Sequence, residues 1–259
     1  MVRLNQLFEE KTTQVLNIYT TAGYPDLNST EEVVLRLAGA GADIVELGMP
    51  YSDPMADGET IQKSSDQALS NGMTLDLLFD QSKTIREQSS VPIILMGYLN
   101  QMIQYGVEKF VKVAADSGID GLIIPDLPMD IYKDKYQALF EEHDLGISFL
   151  VTPETSDERI RLADNLSTGF LYVVSQSKIT GGSSDLSQTQ TQYFERLQGM
   201  DLKSPWLIGF GIHDAQTFAQ ACQYGHGAII GSAFIRHIGQ HGIRSVGDFV
   251  SGVRGESVA

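Results

Sequence analysis

At 259 residues, with 42% apolar and 20% charged side chains, the chain can bury a full core, and barrels of alternating strands and helices reach about 250 residues as one unit. The 33 acidic against 18 basic residues leave a formal net charge of −15, which argues against nucleic acid and anionic membrane as partners. That charge does not exclude a phosphate ligand, because backbone dipoles bind one locally.

The N-terminal residues Met1-Val2-Arg3-Leu4-Asn5 lack the apolar run of a signal peptide. No segment approaches about 18 consecutive apolar residues, so a cytoplasmic location is expected. A helical turn over 5–11 precedes the first apolar run and would cover the bottom of a barrel. Eight short apolar runs then follow, at 15–20, 43–47, 92–96, 121–124, 147–151, 170–174, 206–209 and 228–230. They are often β-branched and apolar nearly throughout, as parallel strands buried on both faces should be. Amphipathic stretches alternate with them. The segment 30–39 carries Val33, Val34, Leu37 and Ala38 at helical spacing, with Ser29 or Thr30 as its cap. The segments 107–116, 156–166 (opened by Ser-Asp-Glu), 215–224 and 246–253 have the same character. No linker or low-complexity tract divides them. The alternation predicts an α/β chain with a parallel sheet, and eight repeats favour a closed (β/α)8 TIM barrel over an open sheet. The expected organisation is a single barrel domain over 1–259 with an extra N-terminal helix.

In such barrels the chemistry sits at the C-terminal ends of the strands. The second run, Asp43-Ile44-Val45-Glu46-Leu47, puts a carboxylate inside an apolar strand. Unpaired burial would raise its pKa and let it exchange a proton near neutral pH; pairing with a basic group across the barrel is the alternative. The loop 48–58 that follows is long for a strand-to-helix connection and carries Asp53 and Asp57. Asp57 is either a second catalytic carboxylate or part of an Asp-Gly turn. The sixth run ends at Tyr172-Val173-Val174, and the polar stretch 175–184 after it reads as a mobile lid or a plain surface loop. Glycine turns close the seventh and eighth runs, at Gly209-Phe210-Gly211-Ile212 and Ile230-Gly231-Ser232-Ala233. Turns at these two places hold phosphate through backbone N–H groups and a helix N-terminus, or else serve only as tight turns. Ser232 can cap that helix. Neither turn contains a lysine or arginine, so amides would hold the anion.

Other chemistries find no support. There is no phosphate-binding loop ending in Lys-Ser/Thr, and Gly39-Ala40-Gly41 precedes a strand instead of following one. The histidines 143, 213, 226, 237 and 241 lack metal-ligand spacing, and His213 reads as incidental. The single cysteine, Cys222, lies in an apolar stretch and reads as a buried structural thiol; it excludes an internal disulfide.

Together, the strand ends resemble one family closely. The segment from Glu46 to Gly58, ELGMPYSDPMADG, resembles the signature of the tryptophan synthase α chain family. Supporting matches are Thr21-Ala22-Gly23-Tyr24-Pro25, Met96-Gly97-Tyr98-Leu99-Asn100, Pro125-Asp126-Leu127-Pro128, Thr152-Pro153-Glu154-Thr155-Ser156, Thr180-Gly181, Gly209-Phe210-Gly211-Ile212 and Gly231-Ser232-Ala233. The resemblance implies a lyase that splits indole-3-glycerol phosphate into indole and glyceraldehyde 3-phosphate by a retro-aldol step, with no cofactor in this chain. It implies Glu46 as general acid–base and Asp57 as the carboxylate at the indole N–H. Tyr172 would lie near the acid–base group. Thr180 belongs to the lid, and Gly181, Gly211, Gly231 and Ser232 would bind phosphate. Tyr19, Ile61, Tyr98 and Phe210 would line the indole pocket. It implies a β chain partner carrying pyridoxal phosphate in an α2β2 complex, contacted through Pro50, Asp53 and Asn100. The chain departs from the family in its lid, where Gln176-Ser177-Lys178-Ile179-Thr180-Gly181 replaces the usual Arg-x-Gly-Val-Thr-Gly, and at Glu59, where a proline is common. A stand-alone indole-releasing lyase and a non-catalytic regulatory subunit binding a phosphorylated ligand are the alternatives.

Overall fold

The computed structural model describes residues 2–175, 187–209 and 211–256. Nine short strands lie in one wholly parallel sheet. They are β1 (Val15–Thr21), β2 (Ile44–Gly48), β3 (Ile93–Met96), β4 (Gly121–Ile123), β5 (Gly146–Ile147), β6 (Leu150–Val151), β7 (Leu171–Val174), β8 (Trp206–Gly209) and β9 (Gly227–Ile230). Their spatial order is β5-β4-β3-β2-β1-β9-β8-β7-β6. The two end strands of that order are consecutive in the chain, separated only by Ser148 and Phe149. Ser148 N–H donates to Leu122 O at 3.0 Å, and Tyr172 N–H donates to Phe149 O at 3.0 Å, so the same segment joins both neighbours. The sheet is a closed barrel in which β5 and β6 share one of eight positions.

The expected fifth strand is therefore interrupted. In that corner hydroxyl oxygens take the place of ladder carbonyls: Ser167 Oγ accepts from Phe149 N–H, Thr168 Oγ1 from Ile147 N–H and Ser148 Oγ from Phe170 N–H.

Alternation along each strand sorts the apolar side chains into two layers. Val15, Ile44, Ile94, Ile123, Phe170, Leu207 and Ile229 fill the interior, and Leu4 of the helix Val2–Glu10 closes it from below. That helix begins three residues earlier than the sequence pattern suggests, but it covers the expected end. The larger outer layer packs strands against helices, with Val45, Leu47, Phe110, Phe140 and Phe234 among its buried members. Helix starts follow their capping chemistry in several places. Ser156 caps Asp157–Leu166 and Asp214 caps Ala215–Ala221. Ser29 and Thr30 do not cap as expected, because the helix Ser29–Gly39 already includes them. Ser29 Oγ instead donates to Asp26 O, and Thr30 Oγ1 accepts from Gly23 N–H, which ties down the loop after β1. Cys222 is half-buried rather than fully buried, and burial pushes its thiol up to about 11, so it is unreactive at neutral pH.

A buried carboxylate, Asp120, anchors the bottom of the barrel. Its Oδ1 pairs with Arg3 Nε at 2.8 Å, and its Oδ2 accepts from Arg86 Nη2 at 3.0 Å and from Ile93 N–H at 2.9 Å. Removing one member of such a buried pair leaves the other charge uncompensated. Asp120→Ala is expected to lower unfolding free energy by about 3–5 kcal/mol, read as a lower denaturant midpoint at unchanged slope.

Candidate active site

The C-terminal end of the barrel holds a cavity of about 330 Å³. Its lining includes Tyr19, Glu46, Asp57, Ile61, Met96, Tyr172, Gly211, His213, Ile229, Gly231, Ser232 and Arg236. Most of the residues singled out in the sequence thus converge from distant strands on one place. The size and mixed polarity suit a small ligand with an aromatic end and an anionic end.

Glu46 projects inward from β2 and is 1% exposed. Among the described residues no basic group pairs with it, so the salt-bridge alternative finds no support there, and one hydrogen bond reaches it, from Asn17 Nδ2 to Oε2 at 2.9 Å. Its Oε1 has no hydrogen-bond partner among the described residues. Burial pushes the Glu46 carboxyl up to about 8, with the Asn17 bond opposing and the nearby Asp57 charge adding to the rise. Such a group is largely protonated at neutral pH yet able to ionise, as an acid–base catalyst requires.

Asp57 hangs over the cavity from the loop between β2 and the helix Glu59–Ser70. It is half-buried, and burial raises its pKa while a hydrogen bond from Tyr98 opposes the rise. Tyr98 Oη donates to Asp57 Oδ2 at 2.9 Å and accepts from Ala56 N–H at 3.1 Å. Tyr98 therefore holds the loop by two bonds and reaches the cavity through Asp57; its ring is not part of the lining. Asp57 is thus held at the cavity by the Tyr98 hydroxyl.

Tyr19 and Ile61 meet with Ile235, and Met96 packs against them, to make an apolar wall. Burial drives the hydroxyls of Tyr19 and Tyr172 well above the ordinary tyrosine value, so both remain neutral donors. Tyr172 lies across Gly209, where an added Cβ would come within 2.5 Å of the tyrosine oxygen. Only glycine leaves that ring its place.

At the opposite end, Gly211 adopts a positive φ of 81°, which a side chain would strain. Gly231 occupies the cap position of the helix Ser232–His241. Ser232 is consequently the first helical residue and not the cap, contrary to expectation; it lines the cavity with Gly231 and Ala233, in the turn whose amides have no partner within the helix. Thr180, Gly181 and Phe210, expected in the lid and the two pockets, lie outside the described residues.

Three residues here escaped the sequence reading. Asn17 and Arg236 carry no local motif, although Arg236 stands one helical turn after Ser232 on the same face. Its Nη1 donates to Thr60 Oγ1 at 3.3 Å across the mouth. His213 lines the cavity instead of being incidental, with Nδ1 within 2.8 Å of Gly211 O. Of the expected partner contacts, Asp53 and Asn100 are exposed. Pro50 is buried, because Gln101 Nε2 donates to its carbonyl at 3.0 Å and draws the loop onto the helix Leu99–Tyr105. Among the described residues no group of three or more His, Cys, Asp and Glu side chains could hold a metal, and no helix is long and apolar enough to cross a membrane.

The family profile described as tryptophan synthase alpha chain matches residues 5–248. The tryptophan synthase alpha chain of Flavobacterium psychrophilum is 53% identical over 251 residues, covering 97% of this chain and 99% of the relative. That of Christiangramia forsetii is 52% identical, over 98% and 99%. Among solved structures, tryptophan synthase subunit alpha from Legionella pneumophila superposes with a TM-score of 0.89 at 31% identity, covering 98% and 97% of the two chains. A chain from the tryptophan synthase α2β2 complex of Pyrococcus furiosus superposes with a TM-score of 0.88 at 33% identity, covering 95% and 99%. The profile match over most of the chain and these relatives show that the chain belongs to the tryptophan synthase alpha chain family.

Proposed function

We propose that Glu46 and Asp57 carry out the lyase half-reaction of tryptophan synthase, splitting indole-3-glycerol phosphate into indole and glyceraldehyde 3-phosphate. The observation that carries this reading is a buried carboxyl with a pKa near 8 and an unpartnered oxygen, set in a cavity between a second carboxylate and a helix N-terminus. Indole leaves poorly from carbon until its C3 is protonated. Protonated Glu46 delivers that proton, and the positive charge spreads to the ring nitrogen. Asp57 accepts the indole N–H bond and stabilises the cation. Glu46, now ionised, takes the proton of the glycerol hydroxyl on the carbon joined to C3. The C–C bond breaks, its electron pair restores neutral indole, and the carbinol becomes the aldehyde of glyceraldehyde 3-phosphate. Glu46 ends protonated as it began. Gly211, Gly231 and Ser232 hold the phosphate through amides and a hydroxyl, and Tyr19 and Ile61 flank the indole.

Every step is a proton transfer or a bond cleavage, so this chain contributes no cofactor, and pyridoxal phosphate belongs to the β chain that receives indole. Exposed Asp53 and Asn100, with the exposed apolar side chains of Met55 and Ile103 nearby in sequence, form the proposed face for that chain. Cytoplasmic placement fits such an enzyme. The test is indole release from indole-3-glycerol phosphate by the purified chain, alone and with the β chain. A large acceleration by the β chain supports the α2β2 role over a stand-alone lyase. Absence of indole release in both cases overturns the proposal and returns the regulatory-subunit alternative.

Arg236 adds a positive charge beside the amides at the phosphate end. Since this charge acts on bound substrate and transition state alike, Arg236→Ala is expected to raise KM roughly tenfold with little change in kcat. Steady-state kinetics at two ionic strengths check it, because the wild-type advantage should shrink with salt.

A further inference from the structure

Asn17 stands where the barrel itself has no need of a polar group. Side chains alternate along β1, so Asn17 shares the inward face with Val15 and Tyr19. Its ladder partners are Ile44 on β2 and Ile229 on β9, both members of the apolar filling. Asn17 is fully buried, and an amide in an apolar layer is costly unless its hydrogen bonds are met. Among the described residues one partner is present: Nδ2 donates to Glu46 Oε2 at 2.9 Å. The Asn17 Oδ1 has no hydrogen-bond partner among the described residues, and neither has Glu46 Oε1. A leucine would suit the layer better, so the amide serves the carboxylate and not the fold.

We propose that Asn17 is a positioning residue for the acid–base carboxyl, fixing Glu46 Oε2 as the accepting oxygen so that the exchangeable proton is carried on Oε1. This rests on the reading of Glu46 as the acid–base group. The chemistry is one of donors and acceptors. A carboxylic acid has one carbonyl oxygen that accepts and one hydroxyl that donates. The carbonyl oxygen is the better acceptor of the two, so an N–H held on Oε2 favours the hydroxyl on Oε1. When Glu46 ionises, the same bond becomes charge-assisted and strengthens, which restrains the rise that burial imposes. The titratable groups that also face Glu46 are Asp57 from the loop after β2, Tyr19 from β1 and Tyr172 from β7; β3 offers only Ile94 and Met96. His213 and Arg236 line the far part of the same cavity. Among the described residues Asn17 is thus the one neighbour that specifically favours the ionised form by hydrogen bonding.

The experiment is the pH dependence of indole release by the full chain with its β chain, for wild type, Asn17→Leu, Asn17→Val and Glu46→Gln. Activity should fall on the alkaline side as Glu46 loses its proton. Without the amide, that limb should move up by about one pH unit, while thermal stability stays level or rises. An alkaline limb unmoved in both Asn17 variants overturns the proposal. So does failure of both variants to fold, since it would make Asn17 a structural residue. Near-normal turnover in Glu46→Gln is a separate outcome: it would remove the acid–base reading itself, whatever the Asn17 variants do.

Discussion

Glu46→Gln should lose about 10³-fold in kcat while still binding indole-3-glycerol phosphate, because positioned proton transfer contributes on the order of 10²–10⁴. The amide keeps the shape of the carboxyl and can still accept from Asn17 Nδ2, so the cavity is preserved. What vanishes is the proton that C3 needs and the base that the hydroxyl needs. Because one group serves both steps, neither can be rescued by the other. The substitution also has a thermodynamic signature of definite sign. In the unfolded chain Glu46 titrates near its ordinary 4.5, whereas in the fold it titrates near 8. A raised folded pKa means stability that is complete below about 4.5 and is lost as pH rises through about 8. Glutamine does not titrate. The variant should therefore gain on wild type in unfolding free energy between these two pH values, and equal or exceed it at pH 8. Turnover, substrate affinity and a pair of denaturation curves at pH 5 and 8 check all three expectations. A variant that keeps near-normal turnover would overturn the mechanism. A variant that unfolds earlier at pH 8 would overturn the burial argument.

Much of this was legible in the sequence, for reasons that also mark the limit. Parallel strands buried on both faces must be apolar nearly throughout, so the runs at 43–47 and 206–209, which form the strands Ile44–Gly48 and Trp206–Gly209, stand out without any tertiary knowledge. Glu46 stands out by the same logic, as a carboxylate where the strand demands apolar side chains. The helices Glu59–Ser70 and Gln188–Gln198 do not stand out in this way, because few of their residues are apolar: Ile61, Ala68 and Leu69 in the first, Tyr193, Phe194 and Leu197 in the second. The split of the fifth strand depends on hydroxyls of Ser148, Ser167 and Thr168 whose partners come from other segments. The site shows the same division. Carboxylates at strand ends announce themselves, but Asn17 and Tyr98 acquire meaning only through contacts 29 and 41 residues away. Local pattern registers burial; it does not register which buried group faces which. The family resemblance placed Tyr98 in the indole pocket, and the tertiary structure adds the hydroxyl that steers Asp57.

That hydroxyl makes Asp57→Asn a sharper test than a generic loss of charge. The expected fall in kcat is about 10²–10³-fold, the range for removing one preorganised electrostatic partner of a transition state. Two effects combine. The carboxylate has two oxygens, so Oδ2 accepts from Tyr98 while Oδ1 stays available for the indole N–H. Asparagine has one accepting oxygen. If Tyr98 keeps it, the amide presents N–H groups to an N–H donor; if indole takes it, the loop loses its tie. Either arrangement leaves the cation without a negative charge. The second effect runs through Glu46, whose pKa the Asp57 charge helps to raise. With that charge removed, Glu46 should titrate below about 8, and the alkaline limb of the residual activity should move down. Asn17→Leu is expected to move the same limb up. Opposite displacements of one limb, by substitutions on β1 and in the loop after β2, would identify the titrating group as Glu46. Displacements of the same sign would mean that the limb belongs to another group.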